Sequence, residues 1–429
     1  MIEVGFVICV MLGLLALRVP VFLAMGLAAA AFAFAWSPMM RADVLAQTFV
    51  RGLDNQAFTA IVYFFAAGAI MNAGGMSARL LELAKALISH VRGGLAHANI
   101  AASMVFAGVS GSALADAAAV GSVMVPAMKK DGYSPGYAAA VTATSATIGL
   151  VIPPSIPMVI FALFTPADVT SLFLAGVLPG LLMGVFLLIV SAIVAYRRGY
   201  PAHPWEGWGR VWRALKRSFL ALLMPVLVIW GMVSGVATVS EIGALAAAYA
   251  AIISLGVYRE ISVSELWHAL VEASADSAKI LLVVSMSGAF VWIAARVGIA
   301  LELAELVSGT SLGPTAILAC IALGLLILGT VLEPVTLLIV VAPIVAPAAI
   351  LAGIDITRLG IVFVLASSIG LVTPPVGMLL FVTASQAEAP VTTVVREAAV
   401  FLLALVALLM TVVAWPGLTS YLGWILGVN

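Results

Sequence analysis

Ile148-Gly149-Leu150-Val151-Ile152-Pro153-Pro154 and Ile369-Gly370-Leu371-Val372-Thr373-Pro374-Pro375 match at six of seven positions and lie 221 residues apart. Each sits inside an apolar segment long enough for one helix, over residues 136–165 and 357–385. Proline lacks a backbone N–H and its ring clashes with the preceding turn, so both helices must be broken. The same offset relates Gly108 to Gly329, Pro126 to Pro347 and Gly132 to Gly353. Apolar sequence matches easily by chance; a double proline at the same offset as three glycine pairs does not. The chain therefore reads as two copies of one scheme.

The surroundings of both motifs identify the solvent. Of 429 residues, 64% are hydrophobic and 9% are charged, and the mean hydropathy is +1.24. Soluble domains carry about 25% charged residues. A chain this poor in charge cannot cover a surface facing water, so most of it faces lipid, where only helices and closed barrels satisfy the backbone. Long unbroken apolar runs such as Leu172–Tyr196 replace the ~10-residue alternation of a barrel. The expected fold is an all-α polytopic membrane protein. Balanced charge, 19 basic against 19 acidic residues, argues against nucleic-acid binding. Cys9 and Cys320 lie in apolar runs and read as free buried thiols. The first residues lack the basic stretch of a cleavable leader and read as a retained helix.

Working outward from the first break, residues 93–128 are apolar but interrupted at Gly108-Val109-Ser110-Gly111-Ser112. Each half has ~15 residues, too few to span comfortably, so a re-entrant hairpin is expected, closed by Lys129-Lys130-Asp131-Gly132. Residues 313–350, interrupted at Leu328-Gly329-Thr330-Val331-Leu332-Glu333-Pro334, form its counterpart. Before the first hairpin come two short helices divided near Arg18, a polar connector over 41–56, a helix over 57–75 and an amphipathic stretch from Met76 to Val91. An ordinary span follows at 171–196. In the second half, helices are expected near 218–236, 239–257 and 277–296, then an amphipathic stretch through Glu302 and Glu305, and a last span at 395–425.

This divides the chain into a first repeat (1–196), a connector with an interfacial helix (197–217) and a second repeat (218–429). Arg197, Arg198, Arg210, Arg213, Lys216 and Arg217 face one acid, Glu206, in the connector, which places it in the cytoplasm. Trp205, Trp208 and Trp212 suit the membrane interface. Lys129 and Lys130 put the first hairpin's base on the cytoplasmic side, whereas Arg358 beside Asp355 suits the outer side for the second. The halves are then inverted, with both termini periplasmic. Inverted repeats with paired broken helices point to a secondary transporter and its site.

Unwound backbone at the membrane midplane persists only where protein or a watery cavity satisfies it. A hairpin tip facing a break offers carbonyl and hydroxyl oxygens, which suit a hard cation, and helix N-termini, which suit a carboxylate. The first cation site is expected at Ser110, Ser112, Gly149, Ile152 and Pro154. The second is expected at Gly329, Thr330, Gly370, Thr373 and Pro375. Asp116 and Glu333 are acids near the tips, and intramembrane acids suggest coupling or substrate roles; Asp116 also suits a cap of the returning helix. Arg296 and Lys279 read as snorkelling at span ends, and His97 as interfacial. There is no P-loop, no His-Glu-x-x-His and no Gly-x-Ser-x-Gly, so neither an ATPase nor a hydrolase is indicated.

The stretch Gly108–Tyr133, followed by Thr147-Ile-Gly-Leu-Val-Ile-Pro-Pro-Ser-Ile-Pro-Met158, resembles the large membrane subunit of tripartite ATP-independent periplasmic (TRAP) transporters, as do Gly329–Pro334 and Gly370–Met378. The resemblance covers nearly the whole chain. It implies an elevator-type carrier in the bacterial inner membrane that imports organic acids, such as C4-dicarboxylates or sialic acids, on a sodium gradient. It also implies two partners, a small four-helix membrane subunit and a periplasmic substrate-binding protein, and no cofactor beyond sodium. Glu333 stands where the family more often has Asp, and Ser155 has no hydroxyl counterpart at Val376. Two other readings of the same breaks are a proton-coupled stand-alone carrier using Asp116 and Glu333, and a channel whose breaks are gates.

Overall fold

A computed structural model describes residues 2–17, 19–36, 42–53 and 57–426. No strand occurs among them. Six of the described helices are long and apolar enough to cross a membrane. The chain is thus a polytopic all-α membrane protein.

Its centre is made by the two broken helices. The first comprises α8 (Pro135–Ala146), a 3-10 turn (Thr147–Leu150) and α9 (Ile156–Phe164). The second comprises α17 (Ile356–Gly370) and α18 (Met378–Ala387). Every residue from 136 to 161 and from 358 to 372 is buried. A helix apolar on all sides has no face to offer water, and in a membrane protein it sits inside the bundle. Ser134 caps α8 by accepting from Tyr137 N, and Asp355, 221 residues on, caps α17 by accepting from Arg358 N at 2.7 Å. Each broken helix is also tied near its start to the long helix that follows it. Tyr137 Oη and Ser191 Oγ are 3.1 Å apart, and the Arg358 guanidinium donates to the Val413 carbonyl. These long helices are α10 (Val169–Arg198) and α19 (Val391–Ala414).

Around this centre lie two helix pairs. α6 (Gly94–Ser110) and α7 (Ala113–Lys130) meet at Gly111-Ser112, and α15 (Pro314–Gly329) and α16 (Pro334–Leu351) meet at 330–333. α7 and α16 start and end at positions 221 residues apart. The first tip is narrower than expected, because α6 runs through Gly108 and turns only at Gly111 (φ 59°). Left-handed backbone there suits glycine, which has no Cβ to clash.

The outer elements are α1 (Ile2–Ala16), α2 (Val21–Trp36), α3 (Ala42–Arg51), α4 (Ala57–Ala73), α5 (Met76–Ile88), α11 (Trp208–Val233), α12 (Val239–Ile252, continued by a π-turn to Tyr258), α13 (Val263–Val297), α14 (Ile299–Ser308) and α20 (Gly417–Leu426). α4 and α5 bend by 66° at Gly74-Gly75.

Several sequence expectations need correction. Residues 42–51 of the expected connector form α3, which packs on α13; Arg41 and Asp54 lie outside the described residues, as does Arg18. The expected interfacial helix in 197–217 is not separate, since residues 208–217 are the first turns of α11. The last span breaks before Pro416, where the ring forbids continuation. α13 begins well before residue 277, because Ser262 and Glu265 make a capping box: Glu265 N donates to Ser262 Oγ at 3.2 Å and Ser262 N to Glu265 Oε2 at 2.7 Å. Lys279 is therefore near the middle of a helix, at the point where its apolar run begins. Cys9 and Cys320 are free but exposed, as apolar positions on lipid-facing helices are. His97 is buried, its Nδ1 2.9 Å from the Gly93 carbonyl.

Candidate functional site

The two tips and the two breaks meet in both halves. In the first, Gly111 backs onto the break: a methyl there would stand 2.8 Å from the Pro154 carbonyl oxygen. Asp116, fully buried one turn into α7, lays Oδ2 over Gly149. Any side chain at Gly149 would occupy the carboxylate's place, so the glycine admits the acid. Ser112 begins α7 as its N-cap and accepts from Ala115 N at 3.4 Å. Ser155 caps α9, accepting from Met158 N at 3.3 Å and donating to the Leu150 carbonyl. Ile152 N is held by the Ile148 carbonyl at 3.0 Å. Ser110 ends α6, and its side chain lies outside the described residues.

In the second half Gly329 and Gly370 lie backbone to backbone; a methyl on Gly370 would stand 2.7 Å from Gly329 Cα. Thr330 Oγ1 donates to Ile327 O at 2.8 Å and Thr373 Oγ1 to Ile369 O at 2.7 Å. Each hydroxyl proton is thereby spent within its own helix. Glu333 is the N-cap of α16, at the position Ser112 holds in α7, and accepts from Thr336 Oγ1 at 3.3 Å. The halves differ in depth. Pro153 and Pro154 are buried, whereas Pro374 and Pro375 are exposed. Both Pro-Pro bonds are cis.

A cavity of about 990 Å³ lies beside these parts; among the described side chains, only Ser112 of the expected cation-site residues is in its wall, and Asp116 is not. Gly111 and Ser112 of one tip and Glu333 of the other line it, with Leu150 and Leu371 of the breaks. So do the first residues of four helices: Ala113 of α7, Ile156 of α9, Pro334 of α16 and Met378 of α18. A helix N-terminus carries unpaired N–H groups and about +0.5 of an elementary charge. Four of them bordering one space favour an anion there.

The remaining wall was not anticipated from sequence. Glu265, His268, Glu272, Asp276 and Lys279 line the cavity from one face of α13, and Asn72 from α4. Their spacing of three and four is the signal that could have found them. It was obscured because a polar stretch before residue 277 reads as a loop. Lys279 Nζ stands 2.7 Å from Asp276 Oδ1.

The family described as "Tripartite ATP-independent periplasmic transporter, DctM component" matches this sequence over residues 8–418. The chain is 37% identical over 377 residues to the C4-dicarboxylate TRAP transporter large permease protein DctM of Pseudomonas aeruginosa, covering 88% of each chain. It is 36% identical over 377 residues to the sialic acid TRAP transporter large permease protein SiaM of Vibrio cholerae, again covering 88% of each. Among solved structures, the YdaH transporter of Alcanivorax borkumensis superposes with a TM-score of 0.65 over 90% of this chain and 91% of that one, at 16% identity, a likeness of fold alone. Large permeases of this kind work with a small membrane subunit and a periplasmic binding protein, and the family places them in the inner membrane. The chain, a transporter component and not an enzyme, belongs to the DctM family of tripartite ATP-independent periplasmic transporters.

Proposed function

We propose that this chain imports a small organic acid anion by coupling it to sodium, with the acid delivered by a periplasmic binding protein. C4-dicarboxylates and sialic acids are the substrate classes closest to hand, from the names of its relatives. The observation that carries this reading is the convergence of four helix N-termini on one cavity that both hairpin tips border. The N-termini attract the carboxylate. Carbonyl and hydroxyl oxygens at the junctions suit sodium: Ser110, Ser112, Gly149, Ile152 and Pro154 in the first, and Gly329, Thr330, Gly370, Thr373 and Pro375 in the second. Asp116 and Glu333 add negative charge beside them and tune cation affinity. Two cations bound first would neutralise these acids and admit the anion, which is the physical basis of symport in this reading.

The two halves, 1–196 and 218–429, act as inverted repeats joined by a cytoplasmic connector over 197–217, and both termini face the periplasm. The hairpins (~93–128 and ~313–350) and broken helices (~136–165 and ~357–385) move together as an elevator against the outer helices. Residues 263–276 of α13 then face the cytoplasm, so the cavity is the inward-facing vestibule. The test is equilibrium binding of ²²Na⁺ to the purified chain with its small subunit. Saturable binding weakened by Ser112→Ala and by Thr373→Ala is expected. Absence of saturable sodium binding would overturn the reading.

A further inference from the structure

We infer that Lys279 receives the carboxylate of the transported anion on the vestibule side, exchanging its Asp276 partner for the substrate. This rests on the carrier reading above and deepens it by assigning an anion-receiving residue outside the tips and breaks. Lys279 is the only Lys or Arg lining the cavity among the described residues. It sits on α13 where the polar first turns give way to the apolar run from Ile280, at the cytoplasmic edge of the span in the carrier reading, and it borders the cavity there.

Its present partner is easily replaced. The Lys279–Asp276 pair lies within one helix, with side chains 74% and 47% exposed. Such exposed pairs are weak, because solvent screens them and ordering two side chains offsets the attraction. An incoming carboxylate therefore loses little by displacing Asp276. The rest of this helix face offers an anion no other fixed positive charge. Glu265 is engaged in the capping box, His268 Nδ1 rests 2.7 Å from the Ser264 carbonyl, and Glu272 is an acid. An anion leaving the four helix N-termini thus meets one cation before a stretch of negative wall. Lys279 is the last attractive point on the way out, and Asp276 reclaims it once the anion has gone.

α13 belongs to neither a hairpin nor a broken helix. Its contact with substrate can exist only while the tips face this wall, so Lys279 acts on one side of the membrane. A residue needed merely for folding would have no such sidedness.

The test uses the complete system in proteoliposomes, with the binding protein and an inward sodium gradient, and with labelled succinate and labelled sialic acid as probes. Two quantities are read: the external KM, and the internal concentration of unlabelled acid that halves uptake. Lys279→Gln should raise the internal concentration about ten-fold, as expected when one charge-assisted bond is lost, with the external KM held within about two-fold. Lys279→Arg should stay near the unaltered chain. Asp276→Asn, which removes the competitor, should lower the internal concentration. An unchanged internal value in Lys279→Gln, or equal shifts inside and outside, would overturn the assignment. If Lys279→Gln does not fold, an unchanged internal value in Asp276→Asn overturns it instead. Absence of saturable ²²Na⁺ binding by the unaltered complex would overturn the carrier reading itself, and the role of Lys279 with it.

Discussion

Gly370→Ala isolates the junction between the second tip and the second break. The new methyl would meet the Gly329 backbone, with its carbonyl and Cα closer than any real side chain allows. Neither partner can yield by rotating a side chain, since both are main chain at the ends of α15 and α17. Overpacking a close-packed site costs about 1–3 kcal/mol, and an obstacle of backbone belongs at the upper part of that range. A loss of about 2 kcal/mol is a factor of about 30 in the folding equilibrium. The matched control is Gly324→Ala in α15, where no atom lies within 4 Å of the added methyl. There the exchange should be neutral or stabilising, by up to about 1 kcal/mol, through helix propensity. Thermal and denaturant unfolding of both variants in the same detergent, with sodium binding measured alongside, gives the comparison. Gly370→Ala should be the less stable and should bind sodium more weakly. If it melts with Gly324→Ala and binds sodium as the unaltered chain does, the backbone contact between tip and break is not what organises the site.

Other consequences follow from single contacts. Ser112→Ala removes the cap of α7 and should cost about 1 kcal/mol in stability, with Ser112→Asp recovering most of it in denaturant titrations. Gly149→Ala should drive the Asp116 carboxylate from its place and weaken sodium activation of uptake more than it weakens stability; equal sodium activation would remove Asp116 from the coupling machinery. Asn99 is fully buried and donates to Thr142 Oγ1 at 2.7 Å between α6 and α8, so Asn99→Ala should destabilise by about 1–3 kcal/mol, read from the melting temperature. The two-pronged Arg198–Glu397 bridge, at 3.0 and 2.8 Å, joins α10 to α19 at a partly exposed site; a double-mutant cycle should find a coupling of no more than about 1 kcal/mol.

Much of this architecture was legible in the sequence because its strongest signals are punctuation. The double prolines stop α8 and α17 where they must, and Gly111 turns α6 into α7. The same punctuation misled where it was missing. Residues 42–51 and 263–276 mix charged and apolar residues without a helix-long apolar run, and so read as connectors; packing of α3 on α13 and the Ser262–Glu265 capping box make them helical. The site divided along the same line. Tips and breaks announce themselves through glycine and proline, which act on the local backbone. The wall formed by Glu272, Asp276 and Lys279 became visible only once α13 was known to continue, because a helical face exists only if the helix does. The different depths of Pro154 and Pro375 depend on what packs over each break, which no local pattern encodes.

The central claim is that sodium and an organic acid cross together at these junctions. The most direct measurement is simultaneous uptake of ²²Na⁺ and a labelled acid into proteoliposomes holding the chain and its small subunit, with and without the binding protein and with either a sodium or a proton gradient imposed. The account predicts that acid and sodium enter together in a fixed ratio, only with the binding protein present and only down the sodium gradient. Acid uptake that follows the proton gradient, ignores the binding protein and carries no sodium would contradict it.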